Sequence, residues 1–169
     1  YISRQLGAKN HDEATRAAST TLFTAMGIVA VIATIFYIFR SPLVIMLGAT
    51  ETSKAFSIEY ASWILFSAPI TAATVCLSQT LRAEGSTTFS MIGSVSGCVI
   101  NIFLDPLFIN VLGMGVAGAA IATGISKFIS MIILLMPYYQ RKCIIDIKPK
   151  YFTPKKALYA EIARMGIPT

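Results

Sequence analysis

Two short segments carry side chains that could hold a cation or move a proton within an apolar setting. In "NIFLDP", residues 101–106, Asn101 and Asp105 stand four residues apart. Asp105 is the only Asp, Glu, Lys or Arg between Gly85 and Ser126. Residues four apart share nearly one helix face, drifting about 40° per step. An ionised Asp in hydrocarbon costs at least ~2.5–3.5 kcal/mol, so it must face a protein interior or a wet cavity, find a partner, or take up a proton. Pro106 has no N–H, which deprives the carbonyl of Ile102 of its helical donor. A carboxylate, an amide oxygen and a freed carbonyl together suit a hard cation. The second segment adds a hydroxyl at Thr123 and an ammonium at Lys127, again four apart. A plainer alternative uses the same residues: an Asp105–Lys127 salt bridge that only holds two helices together.

These residues need long apolar elements to position them. Of the 169 residues, 55% are apolar and 13% charged, against about 25% charged in an ordinary soluble domain. Mean hydropathy is +0.68. The expected fold is therefore all-α, a polytopic membrane helix bundle. Four blocks approach the ~20 apolar residues that span a bilayer: residues 17–39, 60–81, 89–112 and 116–137. Residues 40–58 have room for a short interfacial helix, and "GMG" (113–115) reads as a tight turn. The third block steps through Gly93, Gly97, Asn101 and Asp105; the fourth steps through Gly115, Ala119, Thr123 and Lys127. Both stripes run from small to polar, and small residues at this spacing let membrane helices pack closely. The two stripes are expected to face each other.

The net charge of +6 does not suggest nucleic acid, because the basic residues lie between apolar blocks and not on one polar face. Arg4, Lys9 and Arg16 precede the first block, Arg82 follows the second, and seven more basic residues follow Tyr139. The intervening connections hold only Arg40 and Lys54, offset by Glu51 and Glu59. Basic residues on alternate connections place those connections, and both ends of the chain, on the cytoplasmic side. Residues 1–140 are expected to form the transmembrane bundle. Residues 141–169 read as a cytoplasmic linker with an amphipathic helix from Thr153 to Gly166, followed by the start of another span. The chain opens on Tyr1 and closes on "GIPT", so a fragment of a longer protein is expected.

Several features read more plainly. "GMGVAG" (113–118) matches a dinucleotide fingerprint, but no acid follows until Asp146 to hold a ribose. The three cysteines lack C-x-x-C spacing, and the lone His11 sits in a basic connection. Tyr60 and Trp63 fit an aromatic belt at the outer interface. Pro69 is expected to kink the second block. No nucleophile–base pair or metal-ligand cluster appears, which argues against an enzyme.

"SRQLGAKNHDEA", "LRAEGSTTFSMIGSVSGCVINIFLDPLFI" and "GMGVAGAAIATGIS" resemble the amino-terminal lobe of MATE (multidrug and toxic compound extrusion) transporters. The resemblance covers essentially the whole chain, from the end of transmembrane helix 2 to the start of helix 7 of a twelve-helix protein. It implies secondary active efflux of cationic amphipathic compounds, coupled to H⁺ or Na⁺, with no other cofactor and no resident metal. Asn101, Asp105 and Thr123 would contribute to the cation or proton site, and Tyr60 would line the cavity. Lys127 departs from the expected uncharged polar residue and would modulate the site. The lipid bilayer, the substrates and the carboxy-terminal lobe of the same protein would be the partners. A further Asp on helix 1 would lie outside this chain. Two other readings stay open: a lipid-linked saccharide flippase of the same superfamily, and a non-transporting membrane scaffold in which the polar stripe is helix glue.

Overall fold

The computed structural model describes residues 1–147 and 149–151. Six α-helices follow one another in these residues: α1 (Ile2–Gly7), α2 (His11–Ile38), α3 (Arg40–Met46), α4 (Glu51–Ala83), α5 (Thr87–Pro106) and α6 (Gly115–Tyr139). A π-helical turn, Leu107–Val111, extends α5, and a short 3₁₀ turn, Pro149–Tyr151, follows α6. No strand occurs among the described residues. Four helical segments are long and apolar enough to cross a membrane: His11–Ile38, Ser53–Ala83, Thr87–Val111 and Gly115–Tyr139. The chain is a multi-pass membrane helix bundle. The amphipathic helix expected at 153–166 lies outside the described residues.

Local chemistry sets the helix ends. Asp12 and Glu13 occupy the first turn of α2, where a negative charge meets the positive end of the helix dipole. At the start of α4 the Thr50 amide donates to Ser53 Oγ at 3.1 Å, satisfying an end donor that the helix itself cannot. This start lies nine residues before the apolar block at Tyr60, so α4 begins as a polar turn and enters the apolar region already helical. It then runs unbroken through Pro69. Gly85 stops it with φ +84°: its amide bonds to Arg82 O at 3.0 Å and the Ser86 amide to Leu81 O at 2.9 Å. This paired closure needs a left-handed residue, which glycine supplies at no steric cost.

Pro106 does not end its helix. The chain widens past it, and the Leu112 amide reaches Leu107 O at 3.0 Å, an i→i+5 bond. A proline that removes one donor is accommodated by this looser winding. Gly113 and Gly115, at φ +65° and +56°, then turn the chain into α6.

Helix α4 is the centre of the bundle, with α2 against it on one side and α5 and α6 on the other. The core holds Ala14, Ala18, Leu22, Ala73, Leu77, Leu81, Leu134, Tyr138 and Ile145. Three of these, Ala14, Ala18 and Ala73, are alanines, so the helices meet at short range where α2 packs on α4. Ile145 lies beyond α6 and still reaches this core, so the chain after α6 folds back onto the bundle end.

Candidate functional site

Helix α5 brings Asn101 and Asp105 together as their spacing predicts. Asn101 Nδ2 donates to Asp105 Oδ1 at 2.9 Å, and both residues are half-buried. The bond runs along one helix, between residues one turn apart. It orients the carboxylate without tying α5 to a neighbour. It also leaves the second carboxylate oxygen and the Asn101 amide oxygen as acceptors. Thr123, on α6, donates to its own helix at Ala119 O, 2.9 Å away. With its proton spent on that carbonyl, the hydroxyl presents only lone pairs outward. Each of the three side chains carries an oxygen acceptor of the kind a hard cation takes, and among the described residues no hydrogen bond joins Thr123 to the Asn101–Asp105 pair.

The two small-to-polar stripes do not face each other as expected. A Cβ added to Gly97 would lie 2.9 Å from Ser130 Cβ and 3.5 Å from Ser126 O; one added to Gly93 would clash with the side chain of Leu134. Ser130 Oγ donates to Gly93 O at 2.8 Å. At the other end of the helix pair, a Cβ on Gly118 would lie 2.8 Å from Phe108 O. The line on α6 that meets α5 is therefore Gly118, Ser126, Ser130 and Leu134. Gly115 has nothing within 4 Å and serves the turn. Gly124 faces α4, where its Cβ would meet Ser67 Cβ at 3.3 Å. A helix turns 100° per residue, so at equal depth Lys127 points well away from the Ser126 contact line.

This rotation decides what Lys127 does. No ion pair joins it to Asp105, so the salt bridge considered from sequence is not formed. Lys127 instead lines a groove with Arg82, Ser94, Cys98 and Leu134. Cys98 precedes Asp105 by seven residues, roughly 10 Å along the helix. The ammonium thus runs toward the Arg82 end of the bundle, as a long cationic side chain does when it seeks a wetter level. Tyr60 is also separate. It lines a cavity with Val44, Phe56 and Val116, at the corner where α3 and α4 meet the first turn of α6. Thr123 lies seven residues further along that helix.

A second polar constellation went unnoticed in the sequence. Glu84, just past the end of α4, accepts the amides of Ile144 (3.0 Å) and Ile145 (3.5 Å) on Oε2. Burial pushes the Glu84 carboxyl up, and these two amides partly offset the rise. Burial, then the nearby Glu84 charge, push the Cys143 thiol up to about 12. Arg82 is held beside this latch: its Nε donates to Ser90 Oγ at 3.1 Å, and Ser90 shares a 2.7 Å hydrogen bond with Ser78. Glu84 lies in the "RAEG" run, which carried part of the family resemblance but nothing that pointed to the Ile144 and Ile145 amides.

The chain is similar in sequence and in fold to known proteins. The model of the MatE family matches residues 1–107. A multidrug export protein, MepA, of Staphylococcus aureus (strain MSSA476) is 30% identical over 170 residues; the match takes in 99% of this chain and 37% of that protein. The chain thus spans well under half the length of the curated relatives it matches. Among solved structures, the inward-facing conformation of a multidrug resistance MATE family transporter of the MOP superfamily superposes with a TM-score of 0.91. It is 30% identical, and the match covers 98% of this chain and 38% of that one. The outward-facing conformation of a multidrug resistance MATE family transporter of the MOP superfamily gives a TM-score of 0.90, also at 30% identity, over 98% of this chain and 37% of that one.

Proposed function

The chain belongs to the MatE family, and on that premise we propose that it forms the amino-terminal lobe of a cation-coupled antiporter. The antiporter exports cationic amphipathic compounds from the cell in exchange for H⁺ or Na⁺. Asp105 is the coupling centre: its carboxylate takes the proton or the ion. Asn101 and Thr123 supply neutral oxygen ligands beside it. Both ends of the chain lie on the cytoplasmic face, by the distribution of basic residues.

The observation that carries this reading is the Asn101–Asp105 hydrogen bond within a single helix. If the polar stripe were helix glue, its strongest bond would cross between helices. Here the bond that crosses uses the Gly93 backbone carbonyl and Ser130, and the polar side chains Asn101 and Asp105 take no part in it. The reading of alternating access draws support from the two superpositions, which differ by only 0.01 in TM-score. A lobe that fits an inward-facing and an outward-facing transporter equally well can move as a body, which is how such transporters open to either side.

The test uses the full natural protein in proteoliposomes. A Na⁺ or a proton gradient is imposed, and efflux of a cationic dye is followed. Asn101→Ala and Thr123→Val each remove one oxygen ligand, and each is expected to raise the ion concentration for half-maximal efflux about tenfold, the factor that ~1.4 kcal/mol supplies. Efflux indifferent to both gradients would overturn the coupling. Unshifted ion dependence in both variants would remove these two residues from the site.

A further inference from the structure

Lys127 is the midpoint of α6, twelve residues from Gly115 and twelve from Tyr139. A cation at that depth is costly unless water or an anion attends it. Its ammonium has no hydrogen bond or ion pair among the described residues. It opens on a cavity of about 230 Å³ between α4 and α5, with α6 behind, and Arg82 opens on the same cavity. The rest of the lining is neutral, with Ser78, Gln79, Ser94 and Ser130 among it, and no carboxylate. Two cations sharing a small space repel each other, and the fold holds them there.

The cavity is also built. Ser90 is fully buried and Ser130 nearly so. Ser90 fixes the guanidinium through Arg82 Nε while Ser78 secures Ser90. The terminal guanidinium nitrogens make no other hydrogen bond among the described residues. They form the planar fork that takes two oxygens of one oxyanion at once. Lys127 supplies a second positive charge from the neighbouring helix. A basic pocket between membrane helices, opening at the level of an arginine near a helix end, has the chemistry that receives a phosphate headgroup.

We propose that the groove between α4 and α5 binds a phosphate group through Arg82 and Lys127. The site is distinct from the Asp105 centre and stands whether or not that centre couples to a cation. The phosphate comes either from an anionic phospholipid reaching in from the bilayer or from a soluble phosphate compound.

The experiment measures the thermal unfolding of the full protein in detergent micelles. Phosphatidylglycerol, phosphatidylcholine or inorganic pyrophosphate is added over a range of concentrations. A saturable rise in Tm with phosphatidylglycerol alone assigns the site to lipid. A rise with pyrophosphate as well assigns it to a phosphate group irrespective of the lipid. In either case Arg82→Gln and Lys127→Gln should each increase the concentration for half-maximal rise about tenfold or more, and Lys127→Arg should restore it. No rise beyond that with phosphatidylcholine would overturn the proposal. An equal rise in wild type and both glutamine variants would overturn it too. If Arg82→Gln proves too unstable to purify, Lys127→Gln and Lys127→Arg decide alone.

Discussion

Ser130 on α6 donates to the carbonyl of Gly93 on α5 at 2.8 Å, and the absence of a side chain at Gly93 and Gly97 is what lets the serine reach it. A buried hydroxyl bonded to a backbone carbonyl across two membrane helices fixes their rotation as well as their distance. With that rotation Lys127 lines the α4–α5 groove.

Gly97→Ala tests this close approach. The new methyl would lie 2.9 Å from Ser130 Cβ, a backbone-borne atom that cannot swing aside. The expected cost is about 1–3 kcal/mol of stability, seen as a lower Tm in detergent. Gly27→Ala is the control, because nothing lies within 4 Å of its added carbon. In the interior of α2 alanine is favoured by up to ~1 kcal/mol, so this variant should match wild type or exceed it.

Glu84→Gln tests the latch at the end of α4. Burial raises the folded-state value of this carboxyl, so the native protein binds the proton more tightly than the unfolded chain does. The stability this contributes is fully present below the ordinary glutamate value and is lost as pH rises through the raised one. Wild-type Tm should therefore fall with increasing pH across that window, and the fall should be absent in Glu84→Gln. Glu84→Ala removes the acceptor altogether and should speed hydrogen exchange at the Ile144 and Ile145 amides.

Cys143 gives an independent reading of the same contact. With its thiol pushed up to about 12 by burial and by Glu84, it holds little thiolate at neutral pH and should react slowly with a maleimide. In a protein whose other cysteines are replaced by serine, Glu84→Gln should accelerate this labelling, because the neighbouring negative charge is gone. An unchanged rate would separate Cys143 from Glu84.

Lys127→Gln separates the ammonium from the coupling site. Lys127 makes no ion pair with Asp105 and lines a groove toward Arg82. The substitution should leave the ion concentration for half-maximal efflux where it is, whatever it does to the maximal rate. A shift in that concentration would mean that Lys127 competes with the bound cation.

The membrane helices could be read from the sequence because a bilayer demands long uncharged runs, and the run from Gly85 to Ser126 has one charge in it. The contact between Asn101 and Asp105 was equally legible, since a spacing of four fixes two side chains on one helix face. The partner face of α6 was not. Steps of four through Gly115 and through Gly118 both read as small residues, and only packing against α4, through Gly124 and Ser67, selects between them. The π-helical turn left a trace in Pro106, but a missing donor allows a kink, a break or a wider turn. Glu84 left no readable signal, because the amides it binds lie sixty residues further along the chain.

The most direct test of the central claim is ion-driven efflux by the full protein carrying Asp105→Asn, measured beside its yield in the membrane. Asparagine keeps the size of the side chain and a hydrogen bond to Asn101, and loses the charge that a cation or a proton needs. The account predicts normal insertion and wild-type folding, with gradient-driven efflux abolished. Near-normal efflux, still responsive to a Na⁺ or a proton gradient, would contradict it.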